Sequence, residues 1–233
     1  MANFTGFPKA GLQFLIDLAA NNNREWFQAH KADFQNHIQK PAQDFVAVLG
    51  ERLQTISSDI RYDTNLNGSG SLMRIYRDVR FSKDKTPYKT NVGIVFWEGA
   101  GKKTENPGFY VGFDADGARV YAGMGGFPKP MLTAYRDAVV DDDLGTKLEA
   151  IIADIQALDG YEVRGTHYKR VPRGYDKDHK RASLLLHNTL GTVSPQMTVD
   201  ELTSPDFVDM CFDHCQKMAG VQQWLVQVVT KAG

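Results

Sequence analysis

Arg74, Arg77 and Arg80 recur three residues apart, and Lys83, Lys85 and Lys89 follow within the same sixteen residues. A guanidinium is a planar fork of donors that matches a carboxylate or phosphate, and an ammonium adds a compact point charge. The chemistry open to such a run is anion binding or, at a reacting centre, stabilisation of developing negative charge. Tyr76 and Phe81 interleave with the cations, and the hydroxyls of Ser82, Thr86 and Thr90 are further donors. Pro87 restricts both itself and Thr86, so the loop is expected to be shaped. If a strand extends past Tyr76, alternation puts Arg74, Asp78 and Arg80 on one face and Arg77 on the other. Asp78 is then a structural partner that orients Arg80 or Arg74.

A second basic segment spans residues 167–181, with Lys169, Arg170, Arg173, Lys177, Lys180 and Arg181 against Asp176 and Asp178. Each segment nets +4, so the other 202 residues carry −9 within an overall charge of −1. Neutrality is thus an average over two cationic segments and an acidic body. If the fold brings the segments together they focus potential on an anion, with Lys169 and Arg173 completing a site begun by the first six cations. The plain alternative is that each run is solvated surface.

Other candidates weigh less. Gly123-Met124-Gly125-Gly126 sits between a strand and a helix, where backbone amides can cradle phosphate, but its spacing fits neither a Walker loop nor a dinucleotide fingerprint, and a tight turn explains it. The run 141–143 of three aspartates reads as a helix N-terminus before it reads as a metal site. Cys211, His214 and Cys215 lie on one helix with no second pair at zinc spacing, so buried thiols are expected and neither metal nor cofactor is implied. His30 and His37 read as structural, and His179 is a candidate general acid or base only by its charged neighbourhood. No nucleophile elbow, zinc-protease motif or kinase set is present, so catalysis stays undecided.

The elements that would position these residues are helical at both ends and extended in the middle. Helical spacing predicts a helix from Lys9 to Ala20 and a second opening at Asn22, with Glu25 closing a capping box, its stripe continuing to Ile56 and kinked or divided by Pro41. Aromatic and β-branched runs predict strands over 72–76, 92–97, 109–114 and 118–124, the last two joined at an Asp-Ala-Asp-Gly turn. Helices return after Pro128 and at Asp141, and Ser204-Pro205 predicts the start of a final helix. The fold class is α+β: an antiparallel sheet of about four or more strands covered by N-terminal and C-terminal helices, in a single domain over 1–233.

A composition of 42% hydrophobic and 24% charged residues excludes disordered, collagen-like and supercharged classes. No stretch approaches the roughly 18 apolar residues needed to cross a bilayer. The N-terminus lacks a signal-peptide pattern and the two cysteines build no disulfide framework, so a cytoplasmic protein with no membrane partner is expected.

The run from Arg74 through Arg77-Asp78-Val79-Arg80-Phe81 to Thr86-Pro87-Tyr88-Lys89-Thr90 resembles the central motif of the family called domain of unknown function 2461, found mostly in bacteria. Asn23-Arg24-Glu25-Trp26-Phe27 and Pro172-Arg173-Gly174-Tyr175-Asp176 resemble its other recurring blocks, in the expected order. The resemblance implies a cytoplasmic single-domain α+β protein and supplies no established substrate, cofactor or catalytic residue.

Three functions fit these residues. One is recognition of a small phosphate- or carboxylate-bearing ligand, with or without catalysis. Another is nucleic-acid binding in a localised groove, with Tyr76, Tyr88 or Tyr168 stacking on bases. The last is a structural protein whose basic segments dock an acidic partner. The sequence assigns no oligomeric state.

Overall fold

In the computed structural model, which describes residues 4–232, six strands form one antiparallel sheet in the order β1-β2-β3-β4-β6-β5. The strands are β1 (Ile60–Arg61), β2 (Val92–Glu98), β3 (Gly108–Asp114), β4 (Gly117–Met124), β5 (Glu162–Thr166) and β6 (His187–Val193). Before them come α1 (Lys9–Ala20), α2 (Arg24–Ala29), α3 (Lys31–Phe34) and α4 (Lys40–Leu53). Between β4 and β5 lie α5 (Lys129–Val140) and α6 (Asp142–Gln156), and α7 (Val199–Leu202) and α8 (Phe207–Ala232) end the chain. The α+β class is as expected. No helix among the described residues is long and apolar enough to cross a membrane.

The helical starts show which local signals prevail. Asn23, not Asn22, caps α2 by accepting the Trp26 N–H at 3.0 Å. Pro41 divides the long early stripe through register: a π-turn (Gln35–Gln39) precedes it, and the Lys40 N–H reaches back five residues to Gln35. The His37 carbonyl faces Gly11 of α1, where a Cβ would lie 2.5 Å from it. Asp141 caps α6 by accepting the N–H groups of Leu144 and Asp143, and the Leu144 bond foremost holds its carboxyl below the ordinary range. The final helix begins at Phe207, three residues past Ser204, whose Oγ accepts the Asp206 N–H at 3.1 Å.

Residues 72–76 are not the continuous strand that their composition predicts. Leu72 bridges Ile94 of β2, but four residues later Tyr76 bridges Tyr88. The segment changes partner midway, so no ladder propagates. The strands β5 and β6, which the sequence reading lacked, pair antiparallel with a register shift between Arg164 and Thr166.

The chain divides into two compact units, one holding the described residues of Met1–Phe96 with Tyr110–Arg119 and Gln196–Asp213, the other Trp97–Phe109, Val120–Pro195 and the described residues of His214–Gly233. The first has an aromatic core in which Phe4, Phe7, Phe45 and Phe207 meet at ring distances of 5.1–6.4 Å. The second packs Tyr135, Leu148, Leu190, Val221, Trp224 and Leu225, and the Trp224 indole N–H donates to the Leu144 carbonyl at 2.8 Å. Cys211 and Cys215 are buried and are not joined in a disulfide.

Candidate functional site

The first basic segment is a loop closed at its neck by backbone. Arg77 N–H donates to Pro87 O at 2.9 Å and Lys89 N–H to Ile75 O at 2.7 Å, on either side of the Tyr76–Tyr88 bridge. Asn22, displaced from its expected capping role, clamps this neck. Its side-chain oxygen accepts the Tyr88 N–H and its amide donates to the Tyr88 carbonyl, both at 3.0 Å. The Tyr88 ring is buried and stacks on Phe27 with centroids 4.1 Å apart.

Inside the loop, two of the three arginines are already neutralised. Asp78 holds Arg80 through Nε at 2.9 Å and Nη2 at 2.7 Å, which makes Asp78 the structural partner of Arg80. Arg77 bonds both Asp84 and the Thr86 hydroxyl. The side-chain bond from Arg80 holds the Asp78 carboxyl down at about 2, and that from Arg77 does the same for Asp84, also to about 2. Thr86 is thus part of the scaffold, donating its N–H and hydroxyl to Asp84 at 2.9 Å each. Lys85 turns onto the Val79 carbonyl at 2.8 Å, Lys83 is exposed, and Phe81 is 94% exposed.

Arg74 and Lys89 remain. They line a cleft of ≈ 340 Å³ together with Arg77, Asp78, Asn91 and Tyr110. Lys89 Nζ donates to the Arg74 carbonyl at 3.1 Å. Burial foremost, then the positive charge of Arg74, pushes the Lys89 ammonium below the ordinary lysine value. The Arg74 side chain is exposed and makes no hydrogen bond or ion pair among the described residues. Its stem crosses Gly68, where φ is +91° and a Cβ would lie 2.7 Å from Arg74 Cδ. Glycine there supplies both the left-handed backbone and the space that lets the arginine lie down.

The sequence reading missed Asn91, Gly93 and Tyr110. Gly93 lines the cleft in β2, and a Cβ on it would come 2.5 Å from the Tyr110 hydroxyl oxygen. Gly112 in β3 is similarly tight against that ring, at 2.7 Å. Two glycines inside strands are the available signal, because such glycines mark places where another group approaches the sheet closely.

The second basic segment is built differently. Arg181 has a fully buried side chain, and every bond it makes is structural: Nε to Glu149 at 2.7 Å, Nη1 to the Val139 and Asp141 carbonyls at 3.1 Å each, and Nη2 to Thr146 at 2.7 Å. A cation on the last carbonyls of α5 also suits the helix dipole. His179 accepts the Arg181 backbone N–H on Nδ1 at 3.0 Å, a turn-closing bond. Lys180 and Arg181 border a second cavity of ≈ 380 Å³, where Thr166 bonds His187 at 3.2 Å and burial lowers the histidine pKa. Lys169 and Arg173 are exposed on the irregular stretch after β5. Tyr175 donates to Asp137 at 2.7 Å, and burial foremost, then this bond, pushes its phenol up to about 12.

Gly123 of the glycine cluster packs against β6, where a Cβ would lie 2.1 Å from the Leu190 carbonyl oxygen. Its role is close strand approach. His214 of the Cys211-His214-Cys215 group bonds the Tyr161 hydroxyl at 2.6 Å, and burial raises the Cys215 thiol pKa.

Fold and cleft together define an α+β protein whose antiparallel sheet borders a cationic loop. Residues 10–224 match the family described as conserved hypothetical protein (DUF2461), and the chain belongs to that family. No curated protein matches it.

Proposed function

We propose that the protein binds a small phosphate- or carboxylate-bearing anion in the cleft of Arg74 and Lys89. One observation carries this reading: in one cleft, an arginine with no ion pair among the described residues accompanies a lysine whose charge is already disfavoured by burial and by that arginine. Two uncompensated cations in one cleft favour a ligand that neutralises both. Arg77 lines the same cleft and is preset by Asp84, while Lys83 and Lys85 add positive charge and Arg80 stays paired with Asp78. We place the protein in the bacterial cytoplasm, on its family resemblance.

Calorimetric titration with inorganic phosphate tests the reading. A charge-assisted hydrogen bond contributes about 1.5–3 kcal/mol, so Arg74→Ala is expected to weaken binding roughly 10- to 100-fold. Affinity should also fall as pH rises through the lowered pKa of Lys89, since only the ammonium form donates and attracts. Wild-type protein that binds no phosphate, pyrophosphate or dicarboxylate at low salt would sink the proposal.

A second reading, single-stranded nucleic acid, is favoured by the exposure of Phe81 (94%) and Tyr76 (56%) beside the cations. Its mark is oligonucleotide affinity that falls by orders of magnitude between about 50 and 200 mM salt.

A further inference from the structure

We infer that the anion recognised at Arg74 is carried by a flat, largely apolar ring, as in an aryl or nucleoside phosphate. The inference rests on the anion reading above and deepens it. Arg74 and Met73 belong to two cavities at once. One is the cationic cleft; the other is bordered by Phe27, Phe34, Leu66, Leu72 and Tyr76, with Lys31, Gln39 and Asn67 at its polar edge. A cavity of about 150 Å³ lined by apolar side chains holds one benzene ring, and this one measures ≈ 170 Å³.

Burial supports the same point. Five large hydrophobic side chains are exposed among the described residues, Ile16, Leu66, Tyr76, Phe81 and Tyr168. Two of them, Leu66 at 41% and Tyr76 at 56%, border this one small cavity. Exposed apolar groups flanking a cavity gain by covering a ligand, whereas scattered ones need no explanation.

The cavity is also held in shape. Ser71 N–H donates to the Asp63 carbonyl at 2.7 Å and Ser71 Oγ accepts the Asp63 N–H at 3.0 Å, closing the loop that carries Leu66. Within it Asp63 accepts the Asn65 N–H at 2.8 Å and Asn67 accepts the Ser69 N–H at 2.9 Å. Opposite, the Tyr76 ring leans on Tyr88 at 5.4 Å. Arg74 forms the shared wall, lying over Gly68 of that loop, so a guanidinium stands where a ring in one cavity meets a phosphate in the other.

The test is titration of the full chain with inorganic phosphate, phenyl phosphate, adenosine monophosphate and phenol. Phenyl phosphate or the nucleotide is expected to bind at least tenfold tighter than inorganic phosphate, with phenol much weaker than either. Leu66→Ala and Leu66→Ser, at an exposed position outside the neck of the cationic loop, are expected to abolish that advantage and leave inorganic phosphate binding unchanged. Preference for the nucleotide indicates that the polar edge reads a base, and preference for phenyl phosphate indicates a simple aryl group. Equal affinity for inorganic and phenyl phosphate, or an advantage that survives both substitutions, overturns this inference while the anion reading stands. No binding of any phosphate overturns the anion reading itself, and oligonucleotide binding without mononucleotide binding overturns the small-ligand inference.

Discussion

Residues 74–89 and 167–181 carry the same formal charge, six cations against two carboxylates, and the structure uses them in opposite ways. In the first, the carboxylates fold back on Arg80 and Arg77, so that Arg74 and Lys89 are left facing an open cleft. In the second, the arginine with the most hydrogen bonds is the most buried: Arg181 spends its donors on one carboxylate, one hydroxyl and the end of α5. The lesson is that net charge does not report binding capacity. What matters is which donors remain after the protein's own acceptors are served: Arg74 and Lys89 of the first segment line an open cleft, whereas Arg181 of the second is wholly engaged inside the protein.

The comparison breaks most visibly if Arg181 can be removed without harm. Truncating one partner of a buried, hydrogen-bonded ion pair costs about 3–5 kcal/mol. Glu149 keeps 44% of its side chain exposed and can be resolvated, so Arg181→Ala is expected at the lower end, roughly 3 kcal/mol. For a chain of this size that lowers Tm by about 6–12 °C. Thermal denaturation measures it, and phosphate affinity should be unchanged at temperatures where the variant is folded. A variant as stable as wild type would mean that the buried guanidinium is no support.

Next in size is the neck of the first loop. Asn22→Ala removes both side-chain bonds to the part-buried Tyr88 backbone, each contributing about 0.5–1.5 kcal/mol net, so the loss is about 1–3 kcal/mol in all. Hydrogen exchange at Tyr88 and Lys89 should accelerate by at least tenfold, and phosphate affinity should drop because Lys89 loses its fixed position. Protection that stays intact would show that the Tyr76–Tyr88 bridge alone shapes the loop.

The Asp84 carboxyl sharpens the contrast at smaller scale. Its folded pKa of about 2 lies below the ordinary 3.8, so its contribution is fully present above the ordinary value and is lost as pH falls through about 2. Carbon-detected NMR should place its midpoint near 2. In Arg77→Ala the midpoint should rise only part of the way back, because the Thr86 N–H and hydroxyl still donate to it. A midpoint that does not move would mean that Arg77 is free for the ligand and that the first segment holds a third uncompensated cation.

How far all this can be read from the chain depends on whether a signal is local. The helix Lys9–Ala20 and the turn between β3 and β4 are legible because spacing and turn chemistry are settled within a few residues; Asp114 accepts the Asp116 N–H at 2.9 Å and Gly117 takes φ +133°. The strand β5, Glu-Val-Arg-Gly-Thr, is half exposed and carries a glycine, so it shows none of the apolar alternation that marks a covered strand. The site divides in the same way. Arg74 and Lys89 stand out by residue type, but Tyr110 and Gly93 enter through strand pairing across distant sequence. Arg181 has one hint, its place just ahead of the apolar segment at 183–186, and charge counting passes over it.

The smallest expected effect bears most directly on the comparison. Lys169 and Arg173 are exposed cations in the second unit, and an exposed charge acts through water over a Debye length of about 8 Å at physiological salt. The variant carrying both Lys169→Ala and Arg173→Ala should therefore weaken phosphate binding by less than about threefold at 0.15 M salt, and by somewhat more at 0.01 M, where the screening length grows to about 30 Å. A loss that disappears on adding salt is long-range steering and leaves the two segments distinct. A loss of tenfold or more that persists at 0.15 M salt requires direct contact of Lys169 or Arg173 with the ligand, and would give the second segment a binding role that its exposed charges alone do not predict.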